Sequence, residues 1–277
     1  GLPEELFEVV VAALIRDGAL LPLAAEGETI PRSALSPPLG RQVSLLSRAP
    51  LLPTASWQDL TRLTRILLER MVPRPDHGLQ TELWEALVAA RTTQSAELAR
   101  LLKVLSALCE RLGQRGATWP ETLRALDALQ AVWDAVDPGS YPAAGLQRVL
   151  DVVSPHLSGT PSPLSLALRQ KLALEAFLDR TAPDVVAVAD YLRSDELNIP
   201  TDTDLLQRRE QLLALVEGGE RLLAEETTFR RLVQIFLSVY KRRYSAWHTR
   251  CYRASVFDKY RALRGAPEFR ALADLQR

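Results

Sequence analysis

The sequence predicts an all-α protein, an irregular multi-helix bundle with long antiparallel helices, and three observations carry that prediction. Leu and Ala dominate the composition while β-branched residues are thin and scattered, a balance that favours helix over strand. Apolar residues recur at steps of three and four along most of the chain, which gives each segment one face to bury. Long stretches also lack helix breakers: neither proline nor glycine interrupts Leu79 to Leu112, and no proline falls between Pro200 and Pro267. With 47% hydrophobic and 25% charged residues over 277 positions, the chain can build a sizeable core and has none of the signature of disorder.

Residues 3 to 17 read as a first helix, with Pro3 tolerated in the first turn, Glu4 and Glu5 at its positive end, and Gly18 as its stop. Its face is apolar: Leu6, Phe7, Val10, Val11, Leu14. From Leu20 to Pro53 six prolines prevent any long regular element. Within that loop-rich stretch Leu20–Leu23 and Thr29–Ile30, flanking Glu26-Gly27, can pair as a very small β-hairpin near residues 20–30.

Ser56 is the expected cap of a helix from about Trp57 to Met71, with Leu60, Leu63, Ile66 and Leu67 inward. Leu79 to Leu112 then makes a helix about 50 Å long, with a weak point at Thr92–Ser95 and a stop at Gly113 and Gly116. Thr118 and Glu121 have the spacing of a capping box, ahead of a helix carrying Leu123, Leu126, Leu129 and Trp133. Prolines near their first turns introduce helices at about 142–154, 163–180 and 183–194. Thr201 to Asp204 offers another capping box, and Gly218-Gly219 and Thr227-Thr228 are places for a break in the long helices that follow. The natural divisions are 1–75, an N-terminal helical part with its Pro-rich connection, 76–198, a central helical bundle, and 199–277, a long-helix basic segment that can form one compact unit with the rest.

Two cysteines, Cys109 and Cys251, lie far apart without metal or disulfide spacing, which suits a reducing, cytoplasmic compartment. No leader is visible, no apolar run approaches the ~20 residues of a membrane span, and no membrane contact is expected. A start at Gly1 rather than Met reads as a piece of a longer protein, whose other domains would be partners.

Zero net charge conceals a split. From Phe229 to Arg277 there are 12 Lys or Arg against Asp258, Glu268 and Asp274, a net of +9, so residues 1–228 carry −9. In the helix expected from about Phe229 to Leu263, Phe229, Val233, Phe236, Tyr240, Tyr244, Trp247 and Cys251 form one stripe at helical spacing, read as an inner, core-facing side. Arg231, Arg242, Arg250 and Arg253 project within about a 100° arc on the other side, with Arg243 on its flank. Arginine holds phosphate or carboxylate through a planar fork of donors. The candidate interface for a DNA or RNA backbone, or for an acidic protein, is therefore Arg231, Arg242, Arg243, Arg250 and Arg253, extended by Lys259, Arg261, Arg264 and Arg270. The plain alternative is a solvated face that neutralises the acidic remainder of the chain by folding against it.

Catalytic chemistry finds no constellation. His248 and Cys251 are three apart on one helix without a third orienting group, and Cys251 lies on the apolar stripe, as an inert buried thiol would. His77 is placed in a loop just after Pro73 and Pro75, and His156 near a helix end; no zinc-ligand spacing exists, and Asp202 and Asp204 read as helix-capping carboxylates. No GxxxxGK(S/T) loop and no GxGxxG after a strand occurs, so no metal, cofactor or catalytic residue is assigned.

Tyr244, Trp247-His248, Tyr252, Tyr260-Arg261-Ala262-Leu263 and Pro267-Glu268-Phe269-Arg270-Ala271-Leu272 together resemble a segment of large bacterial P-loop ATPases of phage-defence islands, the BREX-type proteins and related uncharacterised families. The resemblance covers about the last 35 residues. It implies a helical, non-nucleotide-binding region of a cytoplasmic multidomain ATPase. The leading expectation is thus a non-catalytic helical interaction module; a purely structural linker between catalytic domains is the second, and a cryptic enzyme the third.

Overall fold

A computed structural model describes residues 3–31, 34–35, 38–39, 42–71, 75–114, 118–194 and 203–265. The fold is all-α, with ten α-helices and one two-stranded antiparallel ribbon among the described residues. Helix α1 (Glu4–Arg16) stops where Gly18 takes φ +71°, and the Ala19 N–H turns back to the Leu14 carbonyl at 2.9 Å. Strand β1 (Leu20–Leu23) follows. The expected local pairing is present as a single bridge, Leu23 to Thr29, turned at Gly27 with φ +82°. The longer partner of β1 is β2 (Leu45–Arg48), in register from Leu20 opposite Arg48 to Leu23 opposite Leu45. The proline-rich stretch therefore holds a strand where sequence alone suggested loop. Pro22 has no N–H to give, but its carbonyl accepts from Ile30 at 2.9 Å.

Helix α2 (Thr54–Leu67) starts two residues before the expected cap. Pro53 fixes its entry, and Ser56, inside the first turn, donates to the Gln147 Oε1 at 3.2 Å instead of capping. Helix α3 (His77–Leu112) runs unbroken for 36 residues through Thr92–Ser95. His77 is its first residue rather than part of a loop, because the Asp76 carboxylate accepts from the Leu79 N–H at 3.0 Å. Gly113, at φ +67°, ends it, with the Gln114 N–H on the Cys109 carbonyl at 2.9 Å. Then come α4 (Pro120–Ala135), α5 (Pro142–Val153), a 3-10 turn at Ser154–His156, α6 (Pro163–Arg180) and α7 (Ala182–Arg193). Three of these begin on the proline that the sequence placed there, and α7 has its proline in the first turn. The Thr118 capping box does not form: the Thr118 hydroxyl has no partner among the described residues, while its carbonyl accepts the Glu220 N–H at 2.8 Å. Helices α8 (Thr203–Glu217) and α9 (Glu220–Ala224) are separated at Gly218-Gly219, and α10 (Glu226–Gly265) continues straight past Thr227-Thr228. Thr201 and Asp202 lie outside the described residues.

The helices group into two compact units. The first comprises the described parts of Gly1–Ala107 and Trp119–Leu178. Its core is built on the buried Leu60, Leu63, Trp84, Leu101 and Leu146, with Trp119 against Phe177 at 5.9 Å between ring centres. At 25 cal/mol per Å2, burying such side chains stabilises by about 1.5–3 kcal/mol each. A smaller cluster of Val11, Ile15, Leu39 and Tyr141 holds α1 and the ribbon. Lys171 is buried in this unit, its Nζ donating to the Glu97 carboxylate at 2.7 Å.

The second unit comprises Leu108–Thr118 and the described parts of Asp179–Arg277. It packs α7, α8, α9 and the first part of α10 through Val185, Leu192, Leu212, Val216, Phe229 and Phe236. Arg193 caps the end of α3 by donating to the Leu112 carbonyl at 2.7 Å, and Arg209 donates to the Leu192 carbonyl at 2.7 Å. Gly219, with φ +59°, sits so close to Thr118 that any side chain there would collide with it. No described helix is long and apolar enough to cross a membrane.

Candidate interaction interface on the last helix

Helix α10 spans 40 residues, about 60 Å at the usual rise. Its first turn is fixed by a cluster at the α6–α7 junction: Thr181 donates to the Glu226 carboxylate at 2.6 Å, and Arg230 reaches both Thr181 at 3.0 Å and Glu226 at 2.9 Å. Phe229 and Phe236 are buried, and Tyr240 meets Tyr191 of α7 edge to face at 6.2 Å. Desolvation first, and then the hydrogen bond with Tyr240, push the Tyr191 hydroxyl up to about 12. A shallow apolar dimple of about 210 Å3 lies beside this contact, walled by Ala187, Tyr191, Leu212, Val233 and Leu237.

Beyond Tyr240 the surroundings change. Every side chain from Lys241 to Arg264 is exposed except the half-buried Trp247. Helix α8, at 15 residues, covers only about 22 Å, so α10 outruns the neighbour it packs against. This corrects the reading of the ring stripe as core. Phe229 and Phe236 are core and Val233 and Tyr240 half-buried, but Tyr244 is 40% exposed and Cys251, assigned to the interior, stands in solvent.

The rings form a ladder instead. Phe236, Tyr240, Tyr244, His248 and Tyr252 follow one another at four-residue steps, with ring centres 6.0, 5.8, 5.8 and 6.2 Å apart. The same ridge continues through Val256 and Tyr260 to Arg264. Each four-residue step advances about 40° around the axis, so the ridge winds from the buried side to the arginine side. Phe257 and Leu263, both 60% exposed, flank it. His248, considered with Cys251 as a reactive pair, is a rung of this ladder between Tyr244 and Tyr252.

Eight of the nine predicted interface residues are exposed on α10: Arg231, Arg242, Arg243, Arg250, Arg253, Lys259, Arg261 and Arg264. Arg261 lies over the Phe257 ring at 5.2 Å and Arg264 over Tyr260 at 5.6 Å. Among the described residues, Arg231, Arg242, Arg250, Arg253 and Lys259 form no ion pair, whereas Arg230 pairs with Glu226 at 2.9 Å. Arg270 lies outside the described residues, as do Pro267–Leu272 of the C-terminal resemblance. The long ring ridge was legible as a four-residue spacing from Phe236 to Tyr260 but merged with the shorter stripe that ends at Cys251. Among the described residues no group of three His, Cys, Asp or Glu is placed to hold a metal ion.

The fold is all-α, and its last helix carries an exposed stretch of basic and ring-bearing side chains. Comparison with protein-family models, with curated proteins and with solved structures gives no match to the chain.

Proposed function

We propose that the chain is a non-catalytic helical interaction module of a larger multidomain protein, and that residues 241–264 of α10 are an arm that docks on an anionic partner surface. One observation carries this reading: over those residues eight Lys or Arg face water against a lone carboxylate, Asp258, on a stretch of helix exposed at every side chain but the half-buried Trp247. An anion attracted there gains charge-assisted hydrogen bonds without first breaking internal ion pairs of Arg242, Arg250 or Arg253. The resemblance of Tyr244 to Leu263 to BREX-type ATPases supports a place for the module in a cytoplasmic phage-defence ATPase, as a region that binds no nucleotide.

The anionic surface can be a nucleic-acid backbone or an acidic protein, and salt dependence tests the first directly. With labelled duplex DNA and single-stranded RNA, affinity is expected to fall steeply as salt rises from about 50 to 200 mM. Replacing Arg242, Arg250 and Arg253 together by Ala removes up to three phosphate contacts and lowers the log–log slope by about 2–3. Circular dichroism should be unchanged, because all three side chains are exposed. Binding with an unaltered slope in the triple variant would remove the arm from the interface; no binding at low salt would exclude nucleic acid and leave the protein surface.

A further inference from the structure

We propose that the anionic surface is supplied by a second copy of this chain, the basic arm of one copy docking along the exposed apolar face of α1 in another. This rests on the reading of residues 241–264 as a docking arm.

Helix α1 leaves much of its apolar face exposed among the described residues. Val11 and Ile15 are buried, yet Leu6, Phe7, Val9, Val10 and Leu14 are between 38% and 64% exposed. Five large apolar side chains on a 13-residue helix make a contiguous patch of the sort that marks an interaction site. Beside it opens a cleft of about 340 Å3, walled by Phe7, Val11, Leu39, Val43, Leu45 and Leu46, with the Glu8 carboxylate at its edge. Leu45 on the rim is itself 60% exposed.

The arm is the chemical complement of that face. Its exposed ridge of Tyr252, Val256 and Tyr260, with Phe257 and Leu263 beside it, supplies rings and aliphatic groups at the i, i+4, i+8 spacing by which helices dock. Rings seated in apolar clefts, with an arginine alongside, are the usual anchors of protein interfaces. Glu8 lines the cleft beside Phe7, and a carboxylate there can accept from an arginine of an arm docked on it. The charges agree in sign over the wider segments: residues 1–48, which build the face and its cleft, carry six carboxylates against Arg16, Arg32, Arg41 and Arg48, while 241–264 carry eight cations and Asp258. A duplex backbone would reward the arginines and leave the rings in water. An acidic apolar helix face rewards both.

The contact is heterologous, arm to face, and complementation identifies it. In sedimentation velocity the whole chain should self-associate at low salt and dissociate as salt is raised. An arm variant, Tyr252→Lys with Phe257→Lys and Tyr260→Lys, and a face variant, Leu6→Lys with Val10→Lys, should each be monomeric. All five positions are exposed, so the folds persist, which circular dichroism checks. Mixed one to one, the two variants should form a dimer and nothing larger, because each mixture has one intact arm for one intact face. A wild-type chain that stays monomeric at every concentration and salt overturns the proposal, including the case in which the arm covers its own α1. So does association of the face variant alone, which means arm–arm pairing, or of the arm variant alone, which means face–face pairing. Loss of self-association with salt-dependent polyanion binding intact sinks this inference and spares the docking arm; absence of both sinks the two together.

Discussion

Lys171 is a long cationic side chain with 6% of its surface exposed, and the Glu97 carboxylate 2.7 Å away makes its burial tolerable. The hydrogen bond from Lys171 holds Glu97 below its ordinary value of 4.5, against the opposing effect of burial. Glu175, held at 3.4 Å by Arg100, is pushed the other way, by desolvation first and then by its hydrogen bond to Glu97. Lys171→Met leaves two hydrogen-bonded carboxylates with the exposed Arg100 alone to balance them and should cost about 3 kcal/mol in urea unfolding, the low end for a broken buried pair because Glu97 keeps access to water. The pH dependence has a definite sign. Glu97 contributes stability that is present above its unfolded pKa and lost as pH falls through its lowered folded one. Glu175 opposes this, since the fold gains stability on protonating it as pH falls from its raised value to its ordinary one. Removing Lys171 takes away what depresses Glu97, so the acid-side loss of stability below about pH 4.5 should shrink in the variant. A loss as steep as in the wild type would contradict the geometry. The core and the arm should also respond oppositely to truncation: Leu60→Ala, at a fully buried site, should cost about 2–5 kcal/mol. Tyr252→Ala, 65% exposed, should stay within about 0.5 kcal/mol.

At the scale of elements, the arm persists as a helix because it need not nucleate. Residues 226–240 are already helical and packed, so each further residue adds one backbone hydrogen bond to an existing template. Ring-on-ring pairs at four-residue steps and the cations over Phe257 and Tyr260 add about 0.2–0.5 kcal/mol apiece. Ala254→Pro should therefore fray the last dozen residues and weaken partner binding while leaving the thermal midpoint unchanged, since fraying a solvated end costs less than the ~3 kcal/mol of a kinked interior. A lowered midpoint would mean that residues beyond 254 support the fold. Helices were legible where prolines and periodic leucines agree, as at Pro142, Pro163 and the unbroken α3. Caps were less so. Ser56 and Thr118 have the right side chains, but the Ser56 hydroxyl is taken by Gln147, and Thr118 packs tightly against the turn at Gly219 with its carbonyl accepting from Glu220 and its hydroxyl left without a partner among the described residues. Strand β2 was illegible because its pairing with β1 is decided 22 or more residues away, not by local alternation.

For the whole molecule, the split between a +9 C-terminal segment and a −9 remainder was readable from the sequence, as was a set of cations that the structure leaves exposed on α10. What the spacing could not reveal is how far along α10 the protein's own body reaches. A stripe of rings looks the same whether another helix lies on it or not; the lengths of α7 and α8 decide that, and they end near Tyr240. Likewise the sequence shows that α1 has an apolar face but not how much of it is covered: Val11 and Ile15 are buried, and Leu6, Phe7, Val9, Val10 and Leu14 are exposed. Both departures leave apolar surface in water, and together with the charge asymmetry they make association the economical explanation of this chain. The central claim is that α10 beyond Tyr240 is surrounded by solvent in the free protein. Amide hydrogen exchange of the dilute chain at about 0.5 M salt, where charge-driven contacts are screened, tests it. The amides of 230–240 should exchange with the slow core and those of 245–264 about a hundredfold faster or more; equal protection along the whole helix would show that the chain covers its own arm, and the account would fall.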